Sequence, residues 1–252
     1  MTEKNLGGWS PVGMSNALSV RGVLRVVVDG MDLAVWRGDD GKTRAWENRC
    51  PHRGMRLSYG FVRGNRLTCL YHGWGYDGDG ACVSIPAHPT LTPPKTIKVA
   101  RYACVEAAGL VWVAAEGAND PLRAPDGRWL PAQTIDLDLT LADARAAVAA
   151  AAVEAQAADS AYAGSGIETS DDSPLVTFVD ARSGSRVLCA LQAVADDRTA
   201  LHVLVDASAG DVKAMQRAYA EWGRRIRRNQ GRASLPAFVP PAGTVAPTSY
   251  LA

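Results

Sequence analysis

The chain has few histidines, an almost balanced charge and no long apolar run. The histidine count limits any metal site, and the other two features each exclude a class of protein. The chain's 252 residues include four histidines and five cysteines, with 27 Lys and Arg against 26 Asp and Glu. Such a near-neutral chain is a poor candidate for a nucleic-acid binder. No uncharged stretch of 18 apolar residues occurs, and the N-terminal sequence MTEKNLGGWS shows no basic-then-apolar export signal. We therefore expect a cytoplasmic protein without a membrane span.

The five cysteines are an odd number at irregular spacings, unlike the disulfide framework of a small secreted domain. Metal binding or redox chemistry is the better interpretation of at least some of them. Any site of this kind must draw its imidazoles from four residues, which are His52, His72, His88 and His202.

Charge and turn residues divide the chain into two halves. Residues 1–115 carry 14 Lys and Arg against nine Asp and Glu, a net charge of +5. Residues 116–252 carry 13 against 17, a net charge of −4. The start of segment 116–135 is rich in proline and glycine, which is typical of a linker. We expect domains at 1–115 and 136–231, joined by this linker, and an extended tail at 232–252.

The two halves differ in their predicted secondary structure. Short apolar runs between turn residues predict strands in the first half, at 22–29, 32–37, 43–47, 66–70, 95–99 and 110–114. The second half begins with an Ala-rich segment of high helix propensity. We predict a helix there over 141–158, strands at 175–180, 186–194 and 200–206, and a last helix over 211–229. The fold class is α+β: an antiparallel β domain followed by a helix-plus-antiparallel-sheet domain.

Two short segments, CPHRG at 50–54 and CLYHGW at 69–74, each offer one thiolate and one imidazole. The candidate ligands are Cys50, His52, Cys69 and His72. A zinc Cys2His2 site would use the same four residues, but zinc fingers usually pair cysteine with cysteine and histidine with histidine. In a Rieske [2Fe–2S] cluster, two cysteines hold one iron and two histidines hold the other. The mixed segments favour the Rieske cluster.

CPHRG followed by CLYHGW resembles the Rieske domain of ring-hydroxylating and related non-heme iron oxygenases. Trp9 and the run WENR at 46–49 resemble the vanillate-demethylase-like branch, and the resemblance covers roughly residues 5–115. It implies a Rieske [2Fe–2S] cluster. Tyr71, Trp74 and Tyr76 are either core aromatics of a small β domain or side chains that shield the cluster and form the surface through which electrons pass. The resemblance also implies that the second domain is a reduced, helix-grip-like version of the family's catalytic domain.

A complete oxygenase of this family also carries a mononuclear iron in its second domain, held by two histidines and a carboxylate, and its motif there resembles D-x2-H-x4-H followed much later by an Asp. His88 and His202 have 113 residues between them and lie in unsuitable contexts. In the segment that best matches the motif, Glu154 takes the place of the Asp, while Ala157 and Tyr162 take the places of the histidines. We therefore expect no mononuclear iron, and we expect Glu154 to remain as an electron-transfer bridge.

These features predict a Rieske oxygenase subunit without a complete catalytic iron site of its own. It would pass electrons from a reductase or ferredoxin to a mononuclear iron on a partner subunit, in a trimeric or hetero-oligomeric oxygenase that involves no nucleic acid or membrane. Two alternatives stay open. One is a self-sufficient monooxygenase or dioxygenase with unassigned iron ligands, and the other is a stand-alone Rieske ferredoxin.

Overall fold

The computed structural model describes residues 8–114, 121–157, 167–169, 173–180, 184–208 and 210–229. The chain divides into two compact units, one formed by Gly7–Pro121 and one whose continuous part begins at Leu122. This division falls inside the segment that the sequence predicts as a linker. The predicted tail at 232–252 lies outside the described residues. No helix in the described part of the chain is both long and apolar enough to cross a membrane.

The first unit is built of short antiparallel strands. In chain order they are β1 (Trp9–Met14), β2 (Val23–Val28), β3 (Met31–Arg37), β4 (Thr43–Glu47), β5 (Phe61–Arg63), β6 (Arg66–Thr68), β7 (Gly75–Tyr76), β8 (Cys82–Ser84), β9 (Arg101–Tyr102), β10 (Cys104–Ala107) and β11 (Leu110–Ala114). They form three sheets, with strand orders β1-β11-β10, β2-β3-β4-β9 and β5-β6-β7-β8.

Tight hairpins fix the register of these sheets. Strands β2 and β3 are joined by the two-residue loop Asp29-Gly30, whose φ angles are +48° and +76°. Positive φ at both positions is the type I′ geometry that suits the right-handed twist of paired strands. Strands β5 and β6 are joined by Gly64-Asn65, which places Arg63 directly opposite Arg66. These hairpins leave the two cysteine- and histidine-bearing segments as loops, one soon after β4 and one directly after β6.

The second unit is a five-stranded antiparallel sheet with two helices. Its elements in chain order are β12 (Trp129–Leu137), α1 (Leu141–Ala157), β13 (Glu168–Thr169), β14 (Leu175–Val179), β15 (Arg186–Ala195), β16 (Arg198–Asp206) and α2 (Val212–Arg228). The strand order is β12-β16-β15-β14-β13. The sheet and both helices contribute to one apolar core, which includes Val148, Phe178, Val203, Tyr219 and Trp222.

Helix α2 follows from a clear amphipathic pattern. Met215, Tyr219, Trp222 and Ile226 are buried, at the three- and four-residue spacing that places side chains on one helix face. The Asp211 side chain caps the helix by accepting a hydrogen bond from the backbone N–H three residues later, at 2.9 Å. Asp211 therefore fixes where the helix begins, and the apolar stripe fixes which face meets the sheet.

The sequence prediction of an α+β fold, with an antiparallel β unit before a helix-and-sheet unit, is confirmed. Strands β1, β5 and β7–β10 lie outside the segments predicted as strands, and two predicted segments have a different structure. Residues 129–135 of the predicted linker belong to β12, because Trp129, Ile135 and Leu137 are buried and pair the strand with β16. The segment 95–99 makes only a single bridge, between Lys98 and Ala81, after two prolines that have no N–H to donate.

Candidate metal centre

The two motif segments form loops of the same design. In each loop the cysteine N–H donates to the carbonyl five residues later, at 2.8 Å for Cys50 and 2.9 Å for Cys69. The glycine four residues after each cysteine donates back to the cysteine carbonyl, at 2.9 Å and 3.1 Å. These glycines, Gly54 and Gly73, have φ angles of +73° and +70°, a region in which side chains other than glycine are strained. The motif thus folds twice into one tight turn.

The loops place the sulfur atoms inside and the imidazole rings at the surface. Cys50 and Cys69 are each only 2% exposed. The rings of His52 and His72 make an edge contact, with centroids 4.6 Å apart and an interplanar angle of 63°. His72 is exposed, and His52 is partly exposed. Two imidazoles therefore face outward above two buried thiols.

Aromatic side chains flank both imidazoles. Trp74 stacks on His52 with a centroid distance of 4.1 Å and an interplanar angle of 6°. Tyr71 lies against His72 at 3.8 Å and is itself 58% exposed. Trp74 is therefore placed to hold the orientation of one ring, and Tyr71 extends the surface beside the other. The role of both residues in shielding a cluster stays a prediction.

The two thiols are electrostatic neighbours, and their surroundings suit a metal-bound thiolate. Burial raises the pKa of Cys69, and the adjacent Cys50 raises it further, whereas the backbone N–H groups of Tyr71 and His72 lower it. A cysteine must be deprotonated to bind a metal, so both sulfurs would be negatively charged. Because they are buried, this charge must be compensated by positive charge nearby. Two N–H groups directed at one sulfur supply part of this compensation. The donor set therefore fits an iron–sulfur cluster.

The pKa of His52 is lowered by partial desolvation and by the neighbouring His72 and Arg53. A lowered pKa keeps the imidazole neutral, which is the form that binds metal. The donors also divide into pairs, since the Cys50 and Cys69 thiols interact with each other and the His52 and His72 rings lie in contact. A zinc site needs four donors around one ion, whereas a Rieske cluster takes two at each iron. The geometry favours the two-iron arrangement.

A hydrogen bond from outside the two loops completes the site. The hydroxyl of Tyr76, a fully buried residue on β7, lies 3.0 Å from the Cys50 sulfur. Burial raises the pKa of Tyr76 and the Cys50 sulfur raises it further, so the hydroxyl keeps its proton. A third buried thiol, Cys82 on β8, belongs to the same apolar core. Sequence reasoning did not find the Tyr76 bond, because the two residues are 26 positions apart and meet only through the sheet register.

Residues 8–102 match the family model described as the Rieske [2Fe-2S] domain. The first unit is a Rieske domain. Its match begins just before β1 and ends within β9, so it contains both loops described above. The [2Fe–2S] cluster that such a domain holds is the group to which the buried thiols and surface imidazoles are suited.

Two curated relatives each match less than half of the length of this chain. It is 41% identical over 113 residues to the oxidoreductase NdmD of Pseudomonas putida, covering 44% of this chain and 19% of that protein. It is 40% identical over 127 residues to the 4beta-methylsterol monooxygenase of Methylococcus capsulatus, covering 49% and 33%. The chain thus spans no more than a third of the length of these two relatives.

Solved structures resemble more of the chain. NdmA of Pseudomonas putida superposes with a TM-score of 0.65 at 24% identity, covering 91% of this chain and 83% of that one. Dicamba monooxygenase gives a TM-score of 0.64 at 19% identity, covering 86% and 81%. At these identities the likeness shows a shared fold. The resemblance to Rieske oxygenases is confirmed by the domain and by these relatives, while the shortening of the second domain stays a prediction.

The remaining histidines lie apart from the Rieske loops in sequence. His88 is exposed in a turn. His202 lies on β16 and is 2% exposed. Its Nδ1 lies 2.9 Å from the Thr134 hydroxyl, and its Nε2 lies 3.0 Å from the side-chain amide oxygen of Gln192. Burial lowers the pKa of His202 to about 4. A neutral ring that accepts from Thr134 and donates to Gln192 uses both of its nitrogens, so His202 acts as a structural residue.

The segment predicted to match the family's mononuclear iron motif is only partly described. Glu154 and Ala157 lie within α1, but their side chains are outside the described residues. Tyr162 lies entirely outside them. The bridging role predicted for Glu154 therefore rests on the sequence.

Proposed function

We propose that this protein is a one-electron carrier of an oxygenase system, in which a Rieske cluster is held by Cys50 and Cys69 on one iron and by His52 and His72 on the other. The observation that carries the proposal is the pair of matching loops, which bury both sulfurs and turn both imidazoles toward solvent. When bound, such a cluster supplies reversible one-electron chemistry. The protein's own contribution is to neutralise the thiolates, orient the rings and keep water from the sulfurs.

The exposed imidazole edge supports a role in electron exchange with other proteins. His72 and Tyr71 together form a surface where a partner can approach the metal ligands without opening the fold. The buried sulfurs, with the N–H groups of Tyr71 and His72 and the hydroxyl of Tyr76 around them, form the protected side. A reductase or ferredoxin would deliver the electron.

We further propose that the oxygen-activating iron lies on a partner subunit. Of the two histidines outside the Rieske loops, His202 has both ring nitrogens in hydrogen bonds and His88 lies in an exposed turn. These surroundings support the proposal that the chain has no two-histidine, one-carboxylate site of its own. In this proposal the second unit is a reduced form of the catalytic domain, and Glu154 connects the cluster to a neighbouring iron across a trimeric or hetero-oligomeric assembly.

A self-sufficient oxygenase is the second candidate. It is favoured by the structural likeness to NdmA and dicamba monooxygenase, which covers most of the chain. In that case the second unit would bind iron through ligands that the described residues do not provide. A stand-alone Rieske ferredoxin would need no iron in the second unit and no oxygenase partner.

Iron content separates these functions. The electron carrier should contain about two irons per chain, and a self-sufficient oxygenase about three, since the cluster itself holds two. Co-purification with a subunit that lacks a Rieske domain would favour the oxygenase assembly over the ferredoxin. Three irons per chain in the fully loaded protein would contradict our proposal.

Ligand variants test the cluster assignment. We expect Cys50→Ser and His72→Ala to abolish the visible absorption and the reduced-state EPR signal of a Rieske centre. His88→Ala is the matched control for His72→Ala, because it removes another exposed imidazole of the same unit. An unchanged spectrum in either ligand variant, or its loss in the control, would contradict the assignment.

A further inference from the structure

An open groove lies beside the second Rieske loop. Its volume is about 600 Å³, and the residues that line it include Phe61, Arg63, Arg66, Gly73 and Pro86. One wall is the β5–β6 hairpin, and the other contains Gly73 and Pro86. Gly73 directly follows His72, and consecutive Cα atoms are about 3.8 Å apart. A molecule seated in this groove therefore contacts the loop of a proposed cluster ligand.

The β5–β6 hairpin that forms one wall of the groove carries two arginines in opposite positions, which is unusual for a strand pair. Arg63 and Arg66 face each other directly across β5 and β6, and both are exposed. Like charges in directly opposite positions destabilise a strand pair. Among the described residues neither guanidinium forms an ion pair, and that of Arg63 lies over the Phe61 ring at 4.9 Å. Two cations are thus held together at the surface, with no acidic side chain in the described part of the chain paired to them.

The surface next to the groove is apolar and exposed. Leu70 is 60% exposed and Tyr71 is 58% exposed, and both belong to the loop that carries His72. Contacts between electron-transfer proteins are small and transient, and charge complementarity speeds their formation. An apolar centre beside His72 is suited to such a contact, with two arginines nearby that pair with no acid within the described ranges. The occupant must carry carboxylates where the arginines lie.

We propose that this groove, with Leu70 and Tyr71, is the docking surface for the acidic face of a small electron-donor protein of the iron–sulfur ferredoxin class. This inference rests on the proposed function as a one-electron carrier. Docking makes and breaks no covalent bond: the donor loses one electron and this protein gains it. The two arginines steer and orient the donor, and the contact at Leu70 and Tyr71 brings it to the exposed imidazole.

Binding of a ferredoxin tests the proposal without relying on turnover. The probe is an oxidised, acidic plant-type [2Fe–2S] ferredoxin, titrated calorimetrically into the full-length, iron-loaded protein. The variant is Arg63→Glu with Arg66→Glu, which keeps two like charges opposite each other and so leaves the hairpin repulsion similar. The matched control is Lys213→Glu with Arg217→Glu, an equal change of net charge at two exposed positions of α2.

We expect the groove variant to lower the association constant by about tenfold or more at about 10 mM salt, where the Debye length is about 30 Å. The difference should shrink at about 0.15 M salt, where the Debye length is about 8 Å. The control should change binding by about twofold at most, because its charges lie outside the contact. Arg63→Lys with Arg66→Lys should restore most of the affinity.

Three results would overturn the docking site: no salt-dependent binding by the unaltered protein, equal losses in the groove variant and the control, or a change of oligomeric state in sedimentation of the groove variant. The last result would show that the groove joins copies of this chain. The EPR spectrum and iron content of the same samples keep the two proposals apart. A missing Rieske signal contradicts the proposed function, whereas a normal signal with unaltered binding contradicts only the docking site.

Discussion

The hydrogen bond between Tyr76 and Cys50 should set part of the reduction potential of this Rieske centre. Tyr76 is fully buried, and its hydroxyl lies 3.0 Å from the sulfur. With a cluster bound the sulfur is a thiolate, so the tyrosine donates. Reduction adds negative charge to the cluster and its sulfurs, and a donor to sulfur therefore stabilises the reduced state more than the oxidised state. Tyr76→Phe should lower the potential.

The size of the effect follows from the strength of one charge-assisted hydrogen bond. Such a bond contributes about 1.5–3 kcal/mol, and only the difference between the two oxidation states affects the potential. If about half of a 2 kcal/mol bond is gained on reduction, the differential is about 1 kcal/mol. For one electron, a tenfold change in equilibrium constant is about 59 mV, so this differential corresponds to about 40 mV.

The assay is an EPR-monitored redox titration of the iron-loaded protein, with protein-film voltammetry as an independent reading. Tyr59→Phe is the control, because Tyr59 lies in the same unit but is 56% exposed. Its potential should stay that of the unaltered protein. An unchanged or higher potential in Tyr76→Phe, with normal iron content, would refute the argument that the hydroxyl donates to the Cys50 sulfur.

Three further predictions concern the folded state. The pKa of His202 falls from an ordinary 6.5 to about 4 on burial, so the unfolded chain takes up the proton first and stability is lost as pH falls between these values. That loss is about 3 kcal/mol, and urea titrations of His202→Gln should lack it. Gly73→Ala should destabilise the fold by about 2–3 kcal/mol and Gly54→Ala by about 1–2 kcal/mol. Their φ angles are +70° and +73°, but an added Cβ at Gly73 would lie 2.9 Å from Pro86, against 3.6 Å to the nearest atom at Gly54. Equal losses in urea unfolding would contradict this reasoning. Asp211→Ala should lose about 1 kcal/mol of thermal stability through the lost helix cap, and Asp211→Asn should retain it.

Much of the fold could be predicted from local sequence patterns. Strands β4 and β11 have the bounds that the apolar runs predict, and both helices begin within a residue of their predicted starts. Strand β12 was missed because its proline and the glycine before it are typical of a linker, while its burial depends on pairing with β16. Short strands such as β7 and β8 carry too few residues for a periodic pattern and exist because their neighbours pair with them.

The chemistry of the Rieske loops was likewise determined by the sequence, since each loop holds its cysteine, histidine and glycine within five residues and closes through its own backbone. The tertiary structure decided which of these groups face water and which do not. It also brought Tyr76 to the Cys50 sulfur and placed the β5–β6 hairpin beside Gly73 and Pro86. Such contacts depend on strand register and burial, which arise from packing across the whole unit. The sequence determines which metal-binding side chains are present. The packing of the sheets determines which of them are exposed to a partner molecule and which are buried.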